Sequence, residues 1–137
     1  MPLTSGFNHV AFLTTDMDRT VRFYEEAFDA VVTYEVVKNE HHPWMKILDV
    51  GGGSAINVFQ VDDPAEIIGQ RRSQGHRGAV DHFGFAADSR DTLEQLQGRL
   101  EKAGAQEVGE IQRLGGEWSL FFRDIDGLEL EVCAAAE

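Results

Sequence analysis

The sequence has little cysteine, few basic residues and no long apolar run, and each shortage excludes a class of protein. A single cysteine, Cys133, rules out an intrachain disulfide and fits a reducing compartment. Twelve lysines and arginines stand against 24 acidic residues, and the formal charge of −12 speaks against nucleic acid and anionic membrane surfaces. No apolar run approaches a membrane span, and the first residues show no basic segment followed by an apolar one. We therefore expect a cytoplasmic protein with no nucleic-acid or membrane partner.

The chain does contain enough apolar material for a core. It has 137 residues, 42% of them hydrophobic, which suits one compact domain. The prediction is a single domain over residues 1–137 that is built from two half-units. The half-units are predicted at 5–61 and 78–134, joined by a linker at 62–77 that is rich in glycine and carries a basic pair.

Two stretches of the sequence look like copies of one unit. Residues 8–12 (NHVAF) and 81–85 (DHFGF) each precede a helical pattern, and residues 53–58 align with residues 127–132 near the ends of the copies. The alignment matches His9 with His82, 73 residues apart, and Asn57 with Glu131, 74 residues apart. Two matches at nearly the same offset indicate a duplicated unit.

Hydrophobic periodicity gives both copies the order β-α-β-β-β. A helix from a cap at Thr15 to about Phe28 and a helix from Ser89 to Gly104 are predicted, each with apolar residues at helical spacing. A short helix is predicted at 65–70 in the linker. The predicted strands cover residues 7–14, 30–38, 44–50, 54–61, 78–87, 106–114, 116–123 and 127–134.

The last predicted strand carries a carboxylate on its polar face. After a turn at Asp126 and Gly127, alternation places Leu128, Leu130 and Val132 on one face and Glu129, Glu131 and Cys133 on the other. Such a glutamate is either solvated or directed into a polar cavity. A thiol nucleophile at Cys133 is the less favoured interpretation, because a lone cysteine on a terminal strand is more often inert.

The repeat brings three side chains into consideration as metal ligands: His9, His82 and Glu131. Each lies in the middle of a predicted strand at a corresponding position of the paired copies. If the halves pack with local two-fold symmetry, these strands can converge in one concave sheet. Two imidazoles and a carboxylate form a common set for a divalent ion with open positions, such as Zn, Fe(II), Mn, Co or Ni. Without the repeat, each histidine would be interpreted as a core residue.

The two opening motifs, together with the closing stretch 122–131 (FRDIDGLELE), resemble the vicinal oxygen chelate superfamily. That superfamily includes glyoxalase I, bleomycin-resistance proteins, fosfomycin-resistance enzymes, methylmalonyl-CoA epimerase and extradiol dioxygenases. The resemblance implies an α+β fold in which two tandem βαβββ units form a glyoxalase/bleomycin-resistance/dioxygenase-type open sheet. It also implies a homodimer, and it carries the family's metal ligands onto His9, His82 and Glu131. Ile125 replaces the proline that is usual in the closing motif.

The sequence departs from the family pattern at Asn57, where a fourth ligand is often glutamate. A carboxamide cannot act as the base that glyoxalase I and the epimerase use beside the substrate carbonyl. Glu131 is then the expected catalytic residue. Three ligands resemble the fosfomycin-resistance and dioxygenase arrangement, but Trp118 and Ser119 stand where an extradiol enzyme's second-sphere groups are expected. The basic anion pocket of the fosfomycin-resistance enzymes is not evident either, though Arg113 and Arg123 could supply positive charge.

The resemblance favours an enzyme but leaves alternatives open. The main hypothesis is a metal-dependent lyase, isomerase or dioxygenase that chelates vicinal oxygens of a small substrate and stabilises an oxyanion. The alternative is a metal-free protein of the bleomycin-resistance type that sequesters a bulky cationic ligand; the retained ligand set argues against it. A metal-bound, catalytically silent interaction domain is a third interpretation. The residues predicted to line the pocket, each of which could instead be core, are Trp44, Asn57, Phe59, Trp118 and Phe122.

Overall fold

The computed structural model describes residues 2–3, 6–67 and 82–136 and has an α+β fold, as predicted. The chain divides into two compact units, Met1–Ile67 and Ile68–Glu137. In the described ranges, no helix is both long and apolar enough to cross a membrane. The predicted linker lies outside the described residues from residue 68 onward, as do residues 78–81 of the predicted fifth strand.

The first unit has one helix and a four-stranded sheet. Its sheet order is β1-β4-β3-β2, with β1 parallel to β4 and the other pairs antiparallel. A 3₁₀ turn at Pro64–Glu66 stands where the sequence predicted a short helix at 65–70. The elements are β1 (His9–Thr14), α1 (Met17–Phe28), β2 (Val31–Val36), β3 (Met45–Gly51) and β4 (Ser54–Gln60).

The second unit repeats this arrangement with one change. Its sheet order is β5-β9-β8-β6, β7 also pairs with β8, and β5 runs parallel to β9 as β1 does to β4. The shared order confirms the predicted pair of βαβββ units. The elements are β5 (Phe83–Ala86), α2 (Arg90–Ala103), β6 (Glu107–Val108), β7 (Gln112–Leu114), β8 (Glu117–Arg123) and β9 (Glu129–Ala135).

Two local predictions were wrong. The single strand predicted at 106–114 is two short strands, whose pairing with β8 shifts by one residue between Val108–Phe122 and Gln112–Ser119. Next to β6, the Gly109 N–H donates to the Phe121 carbonyl at 2.8 Å. A Cβ at Gly109 would lie 3.1 Å from that carbonyl oxygen, so glycine suits this close approach.

Helix α1 is capped by Asp16 rather than Thr15, since the Asp16 carboxylate accepts from the Arg19 N–H at 3.1 Å.

Each helix buries its apolar stripe against its own sheet. Met17, Val21 and Tyr24 of α1 are buried, as are Leu93, Leu96 and Leu100 of α2, all as the helical spacing predicted. Alternation along the strands then places the buried side chains on the helix-facing side and leaves the polar ones on the other. The predicted ligands His9 and Glu131 therefore lie on the face of each sheet that its helix does not cover.

Candidate functional site

The second unit brings His82 and Glu131 into contact. The Nε2 atom of His82 lies 3.1 Å from the Glu131 Oε1 atom, a hydrogen bond when Nε2 carries the proton. Gly84 of β5 pairs with Glu131 of β9, and His82 lies two residues before Gly84 on the same side. The side chains are 27% and 16% exposed, so the pair is accessible yet sheltered.

Strand β8 supports this pair from the next position in the sheet. Ser119 is buried and donates its hydroxyl hydrogen bond to the Glu131 Oε2 atom. Phe121 pairs with Glu131 across β8 and β9, and its ring packs edge-on against the His82 ring at 5.2 Å. Both oxygens of Glu131 are thus engaged, each by a different side chain.

Glu131 and Cys133 have opposite pKa shifts. Burial alone would raise the pKa of Glu131, but hydrogen bonds from Ser119, Cys133 and His82, together with the charge of His82, lower it below its ordinary value. Burial and the adjacent Glu131 carboxylate raise the pKa of Cys133 to about 12. Glu131 is therefore ionised at neutral pH, whereas Cys133 is a neutral thiol.

The first unit holds the counterpart residues in the same register. Asn57 of β4 pairs with Ala11 of β1, and His9 lies two residues before Ala11, as His82 lies two before Gly84. The Nδ1 atom of His9 lies 2.8 Å from the Asn8 Oδ1 atom. Among the residues that the structure describes, the buried Oδ1 atom of Asn57 has no hydrogen-bond partner. The predicted pairing of His9 with His82 and of Asn57 with Glu131 thus follows the sheet register.

The structure places two predicted pocket residues on the helix side of β8. Phe122 is 2% exposed, and the Arg90 guanidinium of α2 lies 4.9 Å from the centre of the Trp118 ring. Because side chains alternate along a strand, Trp118 and Phe122 lie on the other face of β8 from Ser119 and Phe121. These placements favour core and surface-packing roles for Trp118 and Phe122. Phe121, which the sequence analysis passed over, is the aromatic residue beside Glu131.

The aromatic candidates of the first unit have different surroundings. Phe59 shares a face of β4 with Asn57, and its ring lies 5.8 Å from the His42 ring. The Trp44 indole donates to Glu35 at 2.7 Å and has the Lys46 ammonium 5.4 Å above its ring. Phe59 therefore remains a candidate pocket wall, while Trp44 is engaged by charged neighbours.

A cavity of about 370 Å³ in the second unit includes Phe121 in its lining. Its charged lining residues are Arg123, Glu107 and Glu129, and the Arg123 Nε atom lies 3.5 Å from a Glu107 carboxylate oxygen. Arg113 is exposed on β7 and donates to the Gly115 carbonyl at 3.4 Å. The basic residues thus do not form a joint anion pocket within the described part of the second unit, since two carboxylates surround Arg123.

His82 and Glu131 suit a divalent metal as a pair of donors. Bonds of about 2.1 Å from a metal to nitrogen and oxygen place adjacent donors about 3 Å apart, which agrees with their separation. No group of three or more histidine, cysteine, aspartate and glutamate side chains within residues 2–3, 6–67 and 82–136 is arranged to hold a metal ion. The third predicted ligand, His9, belongs to the first unit, so joint ligation stays a prediction.

Comparison with known proteins identifies a superfamily and one relative of similar length. A family model described as the Glyoxalase/Bleomycin resistance protein/Dioxygenase superfamily matches residues 6–132. The uncharacterized protein YwkD of Bacillus subtilis is 26% identical over 130 residues, which cover 95% of this chain and 97% of YwkD.

Solved structures show the same fold. A glyoxylase/bleomycin resistance protein/dioxygenase domain from Frankia sp. EAN1pec is 29% identical with a TM-score of 0.81, covering 98% of this chain and 94% of that domain. A mutant of the fosfomycin resistance protein FosX from Listeria monocytogenes, complexed with Mn(II) and 1S,2S-dihydroxypropylphosphonic acid, is 20% identical. Its TM-score is 0.70, and the match covers 98% of this chain and 93% of FosX.

Proposed function

We propose that this chain, which belongs to the Glyoxalase/Bleomycin resistance protein/Dioxygenase superfamily, is a metal-dependent enzyme acting on a small oxygenated molecule. The observation that supports this most directly is the ionised Glu131 carboxylate 3.1 Å from His82 Nε2. In the proposal, His9 completes the ligand set, and the metal is Zn, Fe(II), Mn, Co or Ni. We further propose that the protein is cytoplasmic, on the basis of its composition, and homodimeric, as the family resemblance suggests.

The proposed chemistry is oxyanion stabilisation. A bound divalent ion would supply Lewis acidity toward two vicinal oxygens of the substrate. Glu131 is the one carboxylate of the proposed set, because Asn57 stands at the matching position of the first unit. Glu131 would therefore be the residue that accepts a substrate proton, with Ser119 donating to its Oε2 atom.

The charge near the site supports a substrate without a phosphonate group. Among the described residues, the cavity lined by Phe121 has two carboxylates, Glu107 and Glu129, and one cation, Arg123. A dianionic group there would meet net negative charge, which disfavours it. The FosX neighbour was solved with a phosphonic acid, so the two proteins would differ in this preference. Uncharged catechols, 2-oxoaldehydes and epoxides are the substrate classes to screen.

The test is a reconstituted activity screen. Protein stripped with EDTA is loaded with each of the five metals in turn and assayed against the three substrate classes. We expect turnover with one metal, reduced about 100-fold or more in Glu131→Gln, because the amide can neither accept the proton nor ligate as a carboxylate. Glu101→Gln, on the exposed surface of α2, is the matched control and retains activity. Equal turnover in the stripped protein, or in Glu131→Gln, would contradict the proposal.

The second candidate function is metal-free sequestration of a cationic molecule. The carboxylates of Glu107 and Glu129 in the cavity wall and the formal charge of −12 favour a cationic ligand. A bulky cationic drug such as a bleomycin would be titrated in EDTA and followed by tryptophan fluorescence. Saturable binding that Glu129→Gln weakens would support this function. Binding that high salt abolishes equally in wild type and in Glu129→Gln would count against this function.

A further inference from the structure

We propose that Ser119 is a positioning residue that holds one oxygen of Glu131 and so presents the other oxygen beside His82. This inference rests on the proposed function, because it assigns Ser119 a role in how Glu131 ligates a metal. It names a residue outside the predicted ligand set. Ser119 would not touch the metal or the substrate itself.

Cys133 also donates to Glu131, but Ser119 and His82 are the two partners that contact different oxygens of its carboxylate. The Ser119 hydroxyl donates to Oε2, and Oε1 lies 3.1 Å from His82 Nε2. A glutamate side chain has three rotatable bonds, and its carboxylate torsion is broad when nothing holds it. Ser119 itself is 1% exposed on a central strand, so its hydroxyl has little freedom to move away. The hydrogen bond therefore fixes the orientation of the carboxylate, with one oxygen held by Ser119 and the other facing the imidazole.

The duplicated unit offers an internal comparison. In the second unit, Phe121 pairs with Glu131 and Ser119 pairs with Cys133. At the same register of the first unit, Ile47 pairs with Asn57 and Met45 pairs with Phe59. Met45 thus takes the place of Ser119, and a methionine side chain has no hydrogen to donate.

The second unit, which has the Glu131 carboxylate, also has the Ser119 hydroxyl that donates to it. The first unit has the Asn57 amide instead and Met45 in place of the serine. The Asn57 oxygen, which corresponds to the carboxylate, has no hydrogen-bond partner among the described residues. If Ser119 served only to fill space in the sheet, the two units would not be expected to differ in this way. The pairing of a serine with a carboxylate, and of a methionine with an amide, indicates a role tied to Glu131.

The predicted consequence is a loss of metal affinity without Ser119. Groups that orient a metal ligand typically contribute about 10–100-fold to metal affinity. In Ser119→Ala the Oε2 atom loses its donor, and the carboxylate can turn away from His82. Ser119→Thr keeps the hydroxyl on a β-branched side chain that suits a strand. We therefore expect Ser119→Ala to bind about 10–100-fold more weakly and Ser119→Thr to recover most of the affinity.

The experiment measures Co(II) binding to the full chain by isothermal titration calorimetry, with the visible absorption spectrum of bound Co(II) as a second readout. The matched control is Thr20→Val, which removes a buried hydroxyl that lies 2.8 Å from the Thr14 hydroxyl in the first unit. We expect Thr20→Val to lower the melting temperature and leave both Co(II) readouts unchanged. Ser119→Ala should change affinity and spectrum together, because the ligand geometry changes.

The outcomes separate this inference from the proposed function. Wild-type affinity and an unchanged spectrum in Ser119→Ala would overturn the role of Ser119 while leaving the metal site intact. No binding by wild type would instead overturn the proposed function and this inference with it. Should Ser119→Ala not fold, Ser119→Val gives the same comparison, because valine has the shape of the threonine in Ser119→Thr but no hydroxyl to donate. Wild-type affinity in that variant would equally overturn the inference.

Discussion

At the scale of single residues, the neighbours of Glu131 determine the pKa of its carboxylate. Its hydrogen bonds come from Ser119, Cys133 and His82, and they outweigh the effect of burial on its pKa. The pKa of Cys133 is raised instead, because burial and the negative charge of the same carboxylate both disfavour a thiolate. One anion and one neutral thiol on adjacent positions of a strand face follow from this arrangement.

Cys133 should react slowly with thiol reagents. Its pKa is raised to about 12 from 9.0, and only the thiolate is nucleophilic. At pH 8 the thiolate fraction is then about 1,000-fold below that of an ordinary cysteine, and it rises about tenfold per pH unit. Alkylation by iodoacetamide in EDTA, followed by mass spectrometry, measures this rate. Glu131→Gln should react faster, because the neighbouring charge is gone. A wild-type rate equal to that of a free cysteine peptide would show the prediction to be wrong.

At the scale of elements, local chemistry predicted the helices better than the strands. Helix α2 begins after Ser89 and ends at Gly104, as predicted, because capping depends on residues within one turn of the helix end. The division of residues 106–114 into β6 and β7 was not predictable, because it depends on their pairing with β8, which shifts by one residue between the two strands. Long-range pairing decides such breaks, and the sequence pattern reports only short-range order.

Two glycines of the second unit should respond oppositely to alanine. Gly98 lies in α2, and a Cβ there would meet no described atom within 4 Å beyond its own helix backbone, so Gly98→Ala should stabilise the fold by about 1 kcal/mol. Gly104 has φ +94°, and a Cβ there would lie 3.2 Å from the Ile125 Cδ1 atom. Gly104→Ala should destabilise the fold by about 1–2 kcal/mol. Urea unfolding measures both changes. A stabilised Gly104→Ala would contradict the left-handed cap.

The site was predictable only in part. The approach of His82 to Glu131 agrees with the period-2 pattern and with the repeat, both of which can be found by inspection. The link from Ser119 to Glu131 was not predicted, because it depends on the register between β8 and β9. The same register puts Phe121, rather than Phe122, beside the carboxylate. Register depends on hydrogen bonding between strands, which a strand's own pattern does not specify.

At the scale of the whole molecule, the charge of −12 bears on every metal experiment. A strongly acidic protein attracts divalent cations without a specific site, and salt screens that attraction. Binding at a ligand set should persist at physiological ionic strength. Specific and diffuse binding are therefore separable by their salt dependence.

Metal should stabilise the folded chain and EDTA should reverse the effect. At a free metal concentration about 100 times the dissociation constant, binding adds about 2.7 kcal/mol to the free energy of unfolding. For a chain of this size, that corresponds to an increase of roughly 10 °C in melting temperature. Differential scanning calorimetry in about 0.15 M salt measures the change, with Glu131→Gln as control. An equal increase in the control would indicate diffuse binding at surface carboxylates.

The most direct test of the central claim is metal content after equilibrium dialysis, measured by ICP-MS on untagged protein. Wild type is compared with a His82→Ala/Glu131→Ala double variant whose fold is checked by circular dichroism. The account predicts about one metal per wild-type chain for at least one of Zn, Mn, Fe(II), Co and Ni, and almost none in the folded variant. Wild type that stays empty with all five metals, or a variant that binds as much as wild type, would contradict it.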